Sequence, residues 1–192
     1  MSLIIPIHIM SLVENNIENN RVFLVGQSGS GKTSCGNILS SLINWEFIDT
    51  DEKLILKHNK SIDDIFRENG EEFFRSEELI LIKELIEKDK IVISTGGGTP
   101  EVPNIMNLMN YYGSTFWLKA SPSEIENRLT KSNKNHRPLL FNNNLSLIKN
   151  LEQQAKKRYS LYSLASFHID TDNKGMEGIA LEIKNNIYRN HE

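Results

Sequence analysis

The chain predicts an α/β protein: a five-stranded parallel sheet flanked by helices on both faces. Three observations point there. Short apolar runs alternate with helical patterns along the chain. The runs are nearly continuous in apolar residues, as strands buried on both faces are. Three of them end in segments rich in glycine or acid, and open parallel sheets bind ligands at the carboxyl ends of their strands.

The elements follow in order. "RVFLVG" (21–26) is the first strand and stops at glycine. A helix is expected over 32–43, and "WEFID" (45–49) is the second strand. Helical spacing returns in "SIDDIFRENG" and again in "EEFFRSEELILIKELIEK", with Gly70 separating the two. "KIVIST" (90–95) is the third strand, followed by three glycines, and "STFWLKA" (114–120) is the fourth. Ser121 then caps a helix that has Pro122 at its first position. "SFHID" (166–170) is the fifth strand, and "GMEGIALEIKNNIYRN" is the closing helix.

Composition narrows the class. The 192 residues suit one domain, with 39% hydrophobic and 24% charged residues and a net charge of −3. No basic excess points to nucleic acid. No apolar run is long enough to span a membrane. The single cysteine, Cys35, excludes an internal disulfide framework and favours a cytoplasmic protein. Cys35 is expected as a small packed side chain rather than a reactive thiol. Residues 1–18 are expected to be a peripheral extension, with "MSL" occurring at both 1–3 and 10–12, and residues 19–192 to form the domain.

"GQSGSGKT", Gly26 to Thr33, matches the phosphate-loop pattern G-x-x-x-x-G-K-[ST] between a strand and a helix. A chance match in a chain this long is on the order of one per cent at average residue frequencies. Gly26, Gly29 and Gly31 permit the bends, so that successive N–H groups, that of Ser30 among them, face a phosphate. The helix adds its positive end. Lys32 reaches the β- and γ-phosphates, Thr33 offers a hydroxyl to Mg²⁺, and Ser34 offers one near the α-phosphate. The loop does not name the reaction, because GTPases, motors and small kinases share it. No N-K-x-D or D-x-x-G segment stands where a GTPase needs one, and a motor would be longer.

Asp49 and Asp51 follow the second strand and should face the terminal phosphate. One carboxylate can accept the proton of an attacking hydroxyl, and another can hold Mg²⁺ directly or through water. Asp51 opens a helical stretch, so capping that helix is its plain alternative. Arg75 lies between aromatics and acids. It pairs on the surface with Glu71 or Glu78, or it grips a substrate carboxylate. Gly96, Gly97 and Gly98 form a simple turn, or they let backbone approach a small polar ligand.

Taken together, "GQSGSGKT", "FIDTD", "IFRENGEEFFRSEE", "STGGGTP", "RPLL" and "RYSLY" resemble the shikimate kinase family in order and spacing, from about residue 21 to the C-terminus. The resemblance implies a P-loop NTPase fold of the adenylate-kinase-like kind. It implies a substrate-binding segment near 50–80 and a mobile lid near 130–145. It also implies transfer of phosphate from ATP to the 3-hydroxyl of shikimate, within aromatic amino-acid biosynthesis, by a monomer using Mg²⁺. By the same resemblance Asp51 is the candidate base, and Asp49 lies with Thr33 on the metal side. Arg75 and Arg158 take the substrate carboxylate, and Phe66 and Phe74 wall the ring. Gly96, Gly97 and Gly98 line the substrate site, and Arg137 is the lid arginine that acts with Lys32 on the transferring charge. Arg128 is the candidate for stacking on the base. The third strand carries no acid at Ser94-Thr95, a gap that Asp49 fills, and Ser160 stands where the family often has proline. The rival readings are another small-metabolite kinase, such as a gluconate kinase, and a non-catalytic nucleotide-binding relative.

Overall fold

The computed structural model describes residues 20–131 and 146–189. The expected extension 1–18, Arg137 and all but the first two residues of the expected lid lie outside them. Five strands form one parallel sheet: β1 (Arg21–Val25), β2 (Glu46–Asp49), β3 (Ile91–Ser94), β4 (Ser114–Lys119) and β5 (Phe167–Asp170). Their spatial order is β2-β3-β1-β4-β5. The helices are α1 (Lys32–Ile43), α2 (Thr50–His58), α3 (Ile62–Leu85), α4 (Ile105–Tyr112), α5 (Pro122–Lys131), α6 (Leu147–Tyr162) and α7 (Met176–Arg189), and a 3₁₀ turn spans Thr99–Glu101.

The strands are short and apolar because both faces are covered. Phe23, Val25, Ile91, Ile93 and Trp117 face a core with Leu54, Phe74, Ile82, Ile105 and Tyr162. Val22, Leu24, Val92, Phe116 and Leu118 face the opposite core, built with Leu39 and Cys35 of α1 and Ile179 and Ile183 of α7. Each such fully buried side chain contributes about 1.5–3 kcal/mol. Cys35 packs in this second core, and burial pushes its thiol up to about 12.

β1 is central, with β2 and β3 on one side and β4 and β5 on the other. The chain therefore reverses its winding beside β1, and the loops after β1 and β3 border the resulting crevice. Parallel register sets Asp49 beside Ser94, and Leu24 beside that same Ser94, so the ends of β2, β3 and β1 are level.

Local chemistry sets the element ends. Ser121 Oγ accepts from the Glu124 N–H, capping α5 with Pro122 at its first position, as expected. The abundant asparagines take left-handed positions at Asn44 and Asn59, closing α1 and α2 where glycine often stands. Gly70, at φ 84° and ψ 169°, breaks α3 into the two expected helical runs. Helix α6 passes through Ser160 to Tyr162 without interruption.

Candidate active site

The loop between β1 and α1 bends at Gly26, Gly29 and Gly31, with φ of 142°, 86° and 102°. At Gly26 a β-carbon would also stand 2.7 Å from the Leu118 carbonyl oxygen, so the loop lies against β4. α1 opens at Gly31 with no side chain capping its first N–H groups. That leaves its positive end for an anion. Lys32 is buried, and its ammonium donates to the Gly26 and Gln27 carbonyls at 2.8 and 3.1 Å. Gln27 is tied in turn to the Leu151 carbonyl on α6 at 2.8 Å. Ser30 is fully buried and Ser34 is exposed at the start of α1.

Asp49 divides its two oxygens. Oδ1 accepts from the N–H groups of Asp51 and Glu52, and Oδ2 accepts from Thr33 Oγ1 at 2.7 Å. The cap of α2 is therefore Asp49, which removes the plain alternative reading of Asp51. Where a strand runs directly into a helix, as β2 does here, the cap falls on the strand's last residue, and Asp51 is already the second residue of the helix. The structure thereby brings together a hydroxyl from the first turn of α1 and a carboxylate from the end of β2. Among the described residues no group of three or more His, Cys, Asp or Glu side chains could hold a metal. Two hard oxygen groups beside a phosphate loop fit Mg²⁺, which keeps waters and takes phosphate oxygens as ligands.

The three glycines work as one turn, each closely packed against its own neighbours. A β-carbon on Gly96 would stand 2.7 Å from Asp51 Oδ1 and 2.9 Å from Glu78 Oε1. One on Gly97 would stand 3.0 Å from the Ser28 nitrogen of the phosphate loop. One on Gly98 would stand 2.5 and 2.7 Å from Arg75 Nη2 and Nη1. The turn thus packs the acid, the phosphate loop and the arginine about itself. Tyr162 holds it from α6, donating its hydroxyl to the Gly97 carbonyl at 2.6 Å. Gly98 has φ −96° and ψ −7°, which alanine adopts, so Gly98→Ala tests the contact alone. It should fold normally and displace the Arg75 guanidinium; a substrate acid gripped there, as the family resemblance implies, would then show a KM about tenfold or more higher, because displacements on the order of 1 Å are costly. Steady-state kinetics read this out.

Arg75 makes both of the pairs expected of it, but one is not a surface pair. Nη1 meets Glu78 at 2.7 Å and Nη2 meets Glu71 at 3.0 Å, and the Glu78 side chain is 1% exposed. Burial raises the pKa of Glu78 against the pull of Arg75 and Thr99, and Thr99 Oγ1 donates to its other oxygen. The Arg75 guanidinium lies 5.8 and 5.7 Å from the ring centres of Phe66 and Phe74, which pack at 4.6 Å from each other. Arg158 on α6 reaches the same region, its Nε donating to Glu101 Oε1 at 2.9 Å. Glu101 Oε2 lies 3.5 Å from Arg75 Nη2. The structure therefore joins Arg75 and Arg158 through an acid that sequence reasoning missed. Glu78, read there as a surface partner, is a buried support.

Arg128 is neither exposed nor unattached. It donates to Glu124 at 2.8 Å, to the Ser30 carbonyl at 2.7 Å and to the Thr171 carbonyl at 2.6 Å. Its N–H edges fasten α5 to the phosphate loop and to the end of β5.

A phosphate loop on the central strand of a parallel sheet ordered in this way defines the fold class, a P-loop NTPase. The family model described as shikimate kinase matches residues 28–188. A shikimate kinase of Sulfurihydrogenibium sp. (strain YO3AOP1) is 36% identical over 168 residues, 88% of this chain and 98% of that protein. The solved shikimate kinase from Acinetobacter baumannii in complex with shikimate superposes with a TM-score of 0.80 at 28% identity, covering 89% of this chain and 94% of that one. A gluconokinase from Sinorhizobium meliloti 1021 reaches 0.58 at 14% identity over 89% of this chain and 93% of its own, which is likeness of fold alone. The chain belongs to the shikimate kinase family.

Proposed function

We propose that the chain transfers the γ-phosphate of ATP to the 3-hydroxyl of shikimate, giving shikimate 3-phosphate and ADP on the way to chorismate. The observation that carries this reading is the glycine turn: Gly96 against Asp51, Gly97 against the phosphate loop, and Gly98 against Arg75. A base, a phosphate cradle and a carboxylate clamp thereby meet within three residues.

In the proposed mechanism Arg75 and Arg158 hold the shikimate carboxylate, Phe66 and Phe74 wall the ring, and the backbone of Gly96, Gly97 and Gly98 lines its polar edge. Asp51 orients the 3-hydroxyl and accepts its proton as the oxygen attacks phosphorus and ADP departs. The N–H groups of the loop from Gly26 to Thr33, those of Ser30 and Gly31 among them, bind the phosphates, and the Ser34 hydroxyl serves near the α-phosphate. Lys32 and Arg137 offset the charge that builds on the transferring group. Arg128, held at its edges, presents a guanidinium face to the adenine. Thr33 and Asp49 hold Mg²⁺, which when bound neutralises phosphate charge. Residues 19–192 act as one catalytic domain, with the substrate segment near 50–80 and the lid near 130–145 excluding water on closure. No described helix is long and apolar enough to cross a membrane, and the proposed setting is a monomer in the cytoplasm.

A coupled assay of ADP release tests the substrate. Shikimate should support turnover, and gluconate and nucleoside monophosphates should not; absence of ADP with shikimate overturns the reading. Asp49→Asn tests the metal side. Asparagine caps helices as well as aspartate does, so the melting temperature should hold. The Mg²⁺ concentration for half-maximal rate should rise about 10- to 100-fold.

A further inference from the structure

Glu101 closes the 3₁₀ turn that follows the three glycines, and it bridges guanidinium groups from two different helices. Its Oε1 accepts from Arg158 Nε at 2.9 Å and lies 3.1 Å from Lys157 Nζ. Its Oε2 lies 3.5 Å from Arg75 Nη2. The side chain is only 14% exposed. Burial works against its charge, yet Arg158 and Lys157 hold its carboxyl below the usual carboxylate range, so it stands ionised between the arginines at neutral pH.

The charges around it balance. Arg75, Lys157 and Arg158 face Glu71, Glu78 and Glu101. A substrate carboxylate would enter a cluster with no surplus positive charge. Glu78 cannot yield, since it is buried under Arg75 and Thr99. Glu71 is 61% exposed and pairs with Arg75 along one helix, where solvent screens it. Glu101 touches both arginines, and it does so with the functional group that a substrate acid would present.

We infer that Glu101 is a positioning residue that sets substrate affinity: its carboxylate aligns Arg75 with Arg158 and competes with the substrate's carboxylate for them. The inference rests on the proposed assignment of those two arginines to the shikimate carboxylate. It makes the affinity of the site lower than its two arginines alone would give, and adjustable through a single side chain outside the phosphate-transfer machinery.

The test is Glu101→Gln, whose amide oxygen still accepts from Arg158 Nε while the negative charge is gone. KM for shikimate should fall about three- to tenfold, with little change in kcat and none in KM for ATP. Calorimetry should show tighter binding of shikimate but not of its methyl ester, a split that a merely structural role would not produce. Glu101→Asp keeps a charge beside Arg158 and should not show the gain. An unchanged or raised KM for shikimate in Glu101→Gln overturns the inference. Arg158→Gln, measured alongside, separates the two levels of the argument. If it raises KM for shikimate while Glu101→Gln fails to lower it, the role of Glu101 falls and the two-arginine site stands. If Arg158→Gln leaves KM unchanged, the two-arginine site itself falls, and this inference with it.

Discussion

Asp51→Asn should lower kcat with shikimate about 10²- to 10⁴-fold, the range that a positioned general base supplies, while ATP binding stays nearly intact. The substitution is a clean one in this fold. The backbone of residue 51 is held by Asp49, whose Oδ1 accepts its N–H at 3.0 Å, so α2 starts in the same place whichever side chain follows. Asparagine matches aspartate in shape and can still orient a hydroxyl, but it cannot take up a proton. The carboxylate stands over Gly96, and the phosphate loop meets Gly97 next to it. Steady-state kinetics give kcat, calorimetry gives the ATP affinity, and a melting curve checks the fold. Turnover that hardly changes would mean that Asp51 orients the substrate without accepting its proton.

Arg75→Gln should fail on two separate measurements. KM for shikimate should rise about 10²- to 10³-fold, since truncating one partner of a desolvated, hydrogen-bonded charge pair costs roughly 2–5 kcal/mol. Stability should also drop by about 3 kcal/mol, because Glu78 would remain buried without its guanidinium. The pH dependence has a definite sign. Burial already raises the pKa of Glu78, and the charge of Arg75 lowers it. Removing Arg75 raises it further. A carboxyl with a raised folded-state pKa stabilises the fold below its ordinary pKa and loses that contribution as pH climbs through the raised value. The stability deficit of Arg75→Gln should therefore widen as pH rises above the ordinary carboxylate range, as denaturant titrations would show. Adding Glu78→Gln should recover much of the stability and none of the shikimate affinity. Recovery of both would mean that Arg75 supports the fold without touching the substrate.

The elements that were legible in the chain are those whose signal is local. All five strands appear as short apolar runs, and their observed ends lie within a residue of the expected ones. Helix α1 runs over the expected 32–43, and the break at Gly70 was visible because glycine interrupts a clear apolar spacing. Two helices carried weaker signals. α4 has eight residues, too few for a periodic pattern to stand out. α6 buries only Asn150, Leu151 and Tyr162 over sixteen residues, so its sequence reads as polar almost throughout.

The candidate site divides in the same way. The phosphate loop, the two acids after β2, Arg75 and the glycine turn could all be named from residue types in order, because each belongs to one short segment with its own chemistry. Which acid caps α2 could not, since that depends on β2 running into the helix without a loop, so that Asp49 rather than Asp51 meets the free N–H groups. The burial of Glu78 depends on how α3 lies against the glycine turn and Thr99. The place of Glu101 depends on more still: its partners lie 26 and 57 residues away, on helices from either side of it in the chain. Spacing along a sequence carries hydrophobic period and turn chemistry. It does not carry the distance between charges that meet only when separate helices pack on one sheet, and that distance makes Glu101 a neighbour of both arginines.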